Sequence, residues 1–258
     1  MPLGVFDSGM GGLTVVRALR SAFPRRDIFY VGDTARVPYG NKSAETVLGY
    51  SREIITFLEA KGVDRIVVAC NTASAFAVEK LRSSVNVPLH GMIESGVAAT
   101  LRVAGDGPVG VIGTSATIGS GAYEKALRQA RPSLKVFGQA TPLLVPLVEE
   151  GWVEGEVTEA VIRKYLEPLL REKINVLVLG CTHYPHLKGV LAKVLGPKVE
   201  LVDSSEACAE SLRDSEGSKL EEGKLRIFLT DETGPYQSRV ENFIGEGVVS
   251  SIEKIRLP

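Results

Sequence analysis

The residues best suited to chemistry in this 258-residue chain are two cysteines in similar settings. Cys70 ends an apolar run in "VVACNTAS" at 67–74, and Cys181 ends another in "VLGCTHYP" at 178–185. Asn71 and Thr72 follow the first, Thr182 and His183 the second, where a core strand would stay apolar. A lone cysteine at a strand end is ordinarily a small buried hydrophobe. Two at matched positions, each with polar neighbours, form a pair of tunable thiols. Cys208, in "SSEACAESL", has no such neighbours and reads as packing. Three cysteines without CxxC spacing argue against a disulfide framework or a zinc cage.

Other segments offer partners for the thiols. His183 could cap a helix or bond a carbonyl; two residues from a thiol, it could also favour the thiolate or shuttle its proton. "CTHYPH" adds His186, but no recognised ligand spacing joins these residues, so no metal is expected. "DSGMGGLTV" at 7–15 follows a strand but has Thr14 where a dinucleotide fingerprint needs glycine, and no P-loop lysine follows. Its glycines fit a tight turn or close backbone approach to a small ligand, which Asp7 and Ser8 could contact. "RVPYG" at 36–40 is a turn whose apolar and phenolic flanks could cover a cleft. In "TPLLVPLVEEG" at 141–151 two prolines break strand and helix alike, which predicts a solvated loop; the alternative is a carboxylate, Glu149 or Glu150, aimed into a cleft.

These residues need elements to hold them. Short apolar runs at 3–6, 27–32, 65–70, 88–93, 108–113, 134–139, 176–181 and 199–203 alternate with amphipathic stretches such as 43–61. That is the rhythm of parallel α/β sheets. An internal repeat overlies it: "GVFDSGMGG" at 4–12 answers "GVIGTSATIG" at 110–119, 27–31 answers 133–137, and the two cysteine motifs answer each other. The expected architecture is two similar parallel-sheet α/β domains related by pseudo-two-fold symmetry, with the active site in the cleft between them. Residues 1–93 plus 208–258 would form the first domain and 94–207 the second. The tail, a polar loop at 213–224 and a strand-like run at 225–231, should pack back on the first. Ligands bind beyond the carboxyl ends of such strands, where Asp7, Cys70, Thr114 and Cys181 all fall.

Two thiols facing one pocket could be a redox dithiol, a metal site missing ligands, or an acid/base pair acting on opposite sides of one carbon. A redox pair usually sits close in sequence, whereas the third reading explains the duplication. Inverting a stereocentre requires removing a proton from one face and returning one to the other. One cysteine must then be thiolate while the other is thiol, against a free pKa of about 8.5. His183 and Asp7 are the natural proton managers. No lysine or phosphate cup suggests pyridoxal phosphate, so no cofactor is expected.

Composition narrows the field. With 44% hydrophobic and 24% charged residues this is an ordinary globular chain. Thirty basic against thirty-one acidic residues, with no basic block, disfavour nucleic acid. No apolar stretch approaches membrane length and no signal peptide is evident, so the expected location is the cytoplasm. The oligomeric state stays open, a homodimer included.

The motifs carry a resemblance across nearly the whole chain. "FDSGMGGLTV" at 6–15, "GDTARVPYG" at 32–40, "VVACNTAS", "VPLVEEG" at 145–151 and "LGCTHYP" at 179–185 stand in the order and spacing of the bacterial glutamate racemases. The chain thus resembles the cofactor-independent aspartate/glutamate racemase superfamily. The resemblance implies that Cys181 takes the α-proton of L-glutamate while Cys70 donates to the opposite face, with roles reversed for D-glutamate. It also implies that Asp7, His183 and Glu149, favoured over Glu150, assist the thiols. Asp7, Ser8, Tyr39, Gly40, Asn71, Thr72, Thr182 and His183 would hold the substrate, with Thr114 and Thr117 as weaker candidates. The implied role is supply of D-glutamate for peptidoglycan. Aspartate or another amino acid as substrate, or a non-catalytic amino-acid or metal binding module, are the alternatives.

Overall fold

The computed structural model describes residues 1–212, 222–231, 236–245 and 247–257. Its strands sort into two all-parallel sheets. The first lobe contains β1 (Leu3–Asp7), β2 (Ile28–Gly32), β3 (Arg65–Val68) and β4 (Leu89–Gly91). The second contains β5 (Val109–Gly113), β6 (Val136–Ala140), β7 (Val176–Gly180) and β8 (Glu200–Asp203). The tail strands β9 (Leu225–Leu229) and β10 (Ser251–Lys254) join the first sheet beside β2, as expected of a tail packing back. Residues 213–221 of the polar loop expected at 213–224 lie outside the described residues.

Duplication is visible in the strand order: β4-β3-β1-β2 in one sheet and β8-β7-β5-β6 in the other. Central strands such as β1 (LGVFD) and β7 (VLVLG) are buried at every position, because parallel strands covered on both faces read as continuous apolar runs. The repeat is not a constant offset. It grows from 109 − 3 = 106 at the first strand pair to 176 − 65 = 111 at the third. The strand expected at 133–137 therefore lies later, at Val136–Ala140.

Helices cover both faces of each sheet. Against the first sheet pack α1 (Leu13–Ala22), α10 (Ser204–Ser211) and α11 (Tyr236–Ile244) on one side, α2 (Ala44–Ala60) and α3 (Asn71–Leu81) on the other. The second sheet is covered by α4 (Met92–Val103), the short α5 (Ser115–Gly119) and α6 (Ala122–Ala130) on one side, α8 (Glu156–Arg171) and α9 (Lys188–Leu195) on the other. In α2, Ser43 caps the N-terminus by accepting from the Thr46 N–H at 3.2 Å, and Val47, Ile54, Ile55 and Leu58 turn one buried stripe to the sheet. Cys208 sits fully buried in the α10 face of the first core, consistent with packing.

The expected loop at 141–151 is a correction. Residues Leu144–Glu149 form a short helix, α7, with Leu144 and Val148 buried. Pro146 stands in its first turn, where the backbone N–H has no intrahelical acceptor to lose. Proline therefore does not break this helix.

Candidate active site

Carboxyl ends of strands from both sheets meet at one small cleft. It is lined by Asp7 and Ser8 after β1, Cys70, Asn71 and Thr72 after β3, Thr114 after β5, and Cys181, Thr182 and His183 after β7. The segment carrying Tyr39 and Gly40 and the α7 residue Glu149 complete the wall. Its cavity volume is about 40 Å³. The cleft thus gathers the residues favoured above for catalysis and substrate binding, together with the weaker candidate Thr114 but without Thr117 or Glu150. Thr117 stands just behind it, bonded to Thr72 at 2.9 Å and to Thr114 at 3.0 Å.

Around Cys70 the surroundings are acidic and dry. The residue caps α3, its sulfur accepting from the Ala73 N–H at 3.5 Å while its thiol donates to the Ser8 hydroxyl at 3.7 Å. Burial, with the Asp7 charge adding to it, pushes the thiol up to about 12. Asp7 is itself buried, which raises its carboxyl, while the His183 charge and the N–H groups of Gly12, Gly9 and Ser8 work the other way. Its Oδ2 accepts from Gly9 N–H at 3.1 Å, and its buried Oδ1 has no hydrogen-bond partner among the described residues. The Tyr30 hydroxyl steadies this turn by donating to the Gly9 carbonyl at 2.7 Å.

Cys181 has a different neighbourhood. His183 Nδ1 lies 3.8 Å from its sulfur, and His183 Nε2 lies 3.1 Å from Glu149 Oε1. Burial is the largest influence on the imidazole and favours its neutral form. Hydrogen bonds with Cys181 and Glu149, together with the charges of Cys181 and Asp7, outweigh it and carry the ring up to about 10. Glu149 is held below the usual carboxylate range chiefly by its bond to His183. With its side chain 51% exposed, it connects the buried imidazole to solvent. Glu149 rather than Glu150 makes this contact. His186 turns instead to Phe243 of α11, ring centroids 5.0 Å apart.

Glycines form the seam between the lobes. A Cβ on Gly11 would lie 2.5 Å from His183 Cε1 and 2.6 Å from Thr182 Oγ1; one on Gly12 would lie 2.4 Å from Asp7 Cβ. Real Cβ atoms do not approach that closely, so this turn is glycine-rich because active-site side chains press on it. Gly40 meets Thr114 in the same way, at 2.7 Å. Across the seam, the hydroxyls of Thr72 and Thr114 stand 2.9 Å apart, and Thr14 donates to the Thr182 carbonyl at 2.9 Å. Tyr39 lines the cleft while its hydroxyl donates to the buried Asp33 carboxylate.

Val37 and Pro38, flanks of the turn expected to cover a cleft, line this one, as does Val145, which a sequence reading does not single out. Behind it, Asn71 is bonded to Tyr123 and Ser204. Ser204 directly follows β8, so extending the strand-end rule to the last repeat strand would have found it. Among the described residues, no helix is long and apolar enough to cross a membrane.

Comparison with known proteins finds relatives along nearly the whole chain. The chain is 48% identical over 255 residues to a glutamate racemase of Aquifex aeolicus, covering 98% of this chain and 97% of that one. A crystal structure of a glutamate racemase isoform from Bacillus anthracis superposes with a TM-score of 0.94 at 36% identity, covering 100% and 98% of the two chains. Another, from Francisella tularensis in complex with D-glutamate, gives 0.92 at 35% identity, covering 99% and 97%. Residues 11–212 match the sequence model of the Asp/Glu/Hydantoin racemase family, and the chain belongs to that family.

Proposed function

We propose that this protein interconverts L- and D-glutamate without a cofactor, by proton transfer between Cα and two cysteines. The observation that carries the reading is the pair of thiols, at matching strand ends of two duplicated sheets, in one cleft. Cys181, as thiolate, would take the α-proton of L-glutamate, leaving the electron pair on Cα delocalised into the carboxyl. The Cys70 thiol would then deliver its proton to the opposite face, and the roles reverse for D-glutamate. The protonation pattern supports this: burial and the neighbouring Asp7 hold Cys70 as a thiol, while a cationic His183 faces Cys181.

Asp7 serves Cys70 and the His183–Glu149 pair serves Cys181 as proton managers. The hydroxyls of Ser8, Thr72, Thr114 and Thr182, with Asn71 and backbone N–H groups at strand ends, offer donors for the substrate carboxylates. Glutamate is preferred over aspartate because the close relatives are glutamate racemases. The corresponding role is supply of D-glutamate for peptidoglycan, in the cytoplasm.

The test is incubation with L-glutamate in D₂O without added cofactor. D-Glutamate labelled at Cα is expected, and faster turnover than with aspartate. No isotope exchange and no change in optical rotation would refute the reading.

A further inference from the structure

Resting on that reading of the cleft, we propose that Tyr123 is a positioning residue that sets the two thiols relative to each other from behind. Tyr123 lies on α6 of the second lobe, 3% exposed, and is not part of the cleft wall. Its ring is wedged between two glycines. A Cβ on Gly180 would lie 3.2 Å from Tyr123 Cε2, and one on Gly96 of α4 would lie 2.9 Å from Cε1. Gly180 is the residue before Cys181, so the ring abuts the backbone that carries that thiol.

Its hydroxyl reaches the other thiol's neighbour. Tyr123 Oη donates to Asn71 Oδ1 at 2.7 Å across the lobe seam, and Asn71 directly follows Cys70 as the first residue of α3. The remaining end of the amide closes a loop. Asn71 Nδ2 donates to Ser204 Oγ at 3.4 Å, and the Ser204 hydroxyl donates to the Leu179 carbonyl at 3.0 Å, on the strand that ends at Cys181. A donor at one end and an acceptor at the other fix which way the Asn71 amide points. Two routes, one through a ring and one through a serine, thus connect the residue after Cys70 to the strand before Cys181.

Placement matters because the thiols must address opposite faces of a single carbon, and misplacement by about 1 Å can cost about 10²-fold in rate. In Tyr123→Phe the ring stays as a spacer while the Asn71 oxygen loses its donor. Cys70 would then be presented out of line. A carbanion formed by Cys181 would wait longer, during which the Cys181 S–H exchanges with D₂O to S–D and returns deuterium to the same face.

The experiment follows L-glutamate in D₂O with the full-length protein, measuring deuterium in both the D-glutamate formed and the recovered L-glutamate. Wild type should place label in the product and little in the recovered substrate. Tyr123→Phe should lower kcat about tenfold and raise the ratio of label in recovered substrate to product several-fold, with a smaller change in KM. Ser204→Ala, which interrupts the second route, should move the ratio the same way by less. Adding Tyr123→Phe to Asn71→Ala should move it no further. An unchanged ratio in folded Tyr123→Phe and Ser204→Ala, or an additive effect in the double variant, would overturn the inference while wild-type turnover still upholds the site. Failure of wild type to invert or exchange glutamate would remove the racemase reading and this inference with it.

Discussion

Cys70 and Cys181 end equivalent strands in a duplicated sheet, yet the two half-sites are built from different chemistry. After Cys70 the chain enters an eleven-residue helix at once, and the thiol is its cap, beside a buried carboxyl. After Cys181 a 3-10 turn at Tyr184–Leu187 precedes helix α9, and His183, just before that turn, lies against the sulfur and reaches Glu149 at the rim. Duplication reproduces the placement of a thiol; it does not reproduce the titratable groups beside it. Thermodynamics limits what this asymmetry can do. Enantiomers have equal free energies in an achiral solvent, so the equilibrium constant is one and kcat/KM must be equal in both directions. The unequal half-sites can express themselves only in how kcat and KM divide that shared ratio.

Removing a thiol should give the largest effect. Cys70→Ser and Cys181→Ser are each expected to lose at least about 10³-fold in kcat in both directions. Residual Cα exchange should be confined to the enantiomer facing the remaining cysteine, D-glutamate for Cys181→Ser. Racemisation within tenfold of wild type in either variant would break the two-thiol comparison.

Smaller, and more informative about the asymmetry, are Asp7→Asn and His183→Asn, each expected to lower kcat/KM about 10²-fold. Polarimetry run from both enantiomers should show Asp7→Asn depressing kcat more from D-glutamate, where Cys70 is the base. His183→Asn should do so from L-glutamate, with KM shifting to keep kcat/KM equal. The reverse split would reassign the two managers.

Glu149→Gln should act least. The carboxylate supports the protonated His183, which lies at about 10. A neutral amide withdraws that support, so the imidazolium loses its proton at lower pH. The alkaline limb of the rate profile should move down by about one pH unit, about 1.4 kcal/mol of interaction. At neutral pH the rate should change only a few-fold, and an unmoved limb would detach Glu149 from His183 in the reaction.

Much of this site is legible in sequence because its determinants are local. Apolar runs ending in Asp7, Cys70, Thr114 and Cys181 announce parallel strand ends, and the repeat says that they face one another. What approaches them is set by packing between distant segments. The glycines of "DSGMGG" signal close contact, but only the fold shows that Gly11 makes way for His183 of the other lobe. Asn71 advertises an amide without naming Tyr123, which lies 52 residues away. The helix at Leu144–Glu149 is hidden because the position of Pro146 within the first turn depends on where that helix starts.

The chain crosses between lobes twice, once through α4 after β4 and once after β8 through α10, which returns it toward β9. His90 Nε2 bonds Ser95 of α4 at 2.9 Å and Ser211 of α10 at 3.0 Å, fastening the crossings to each other. One imidazole thus touches both segments that join the lobes, so a change at His90 would reach both crossings at once.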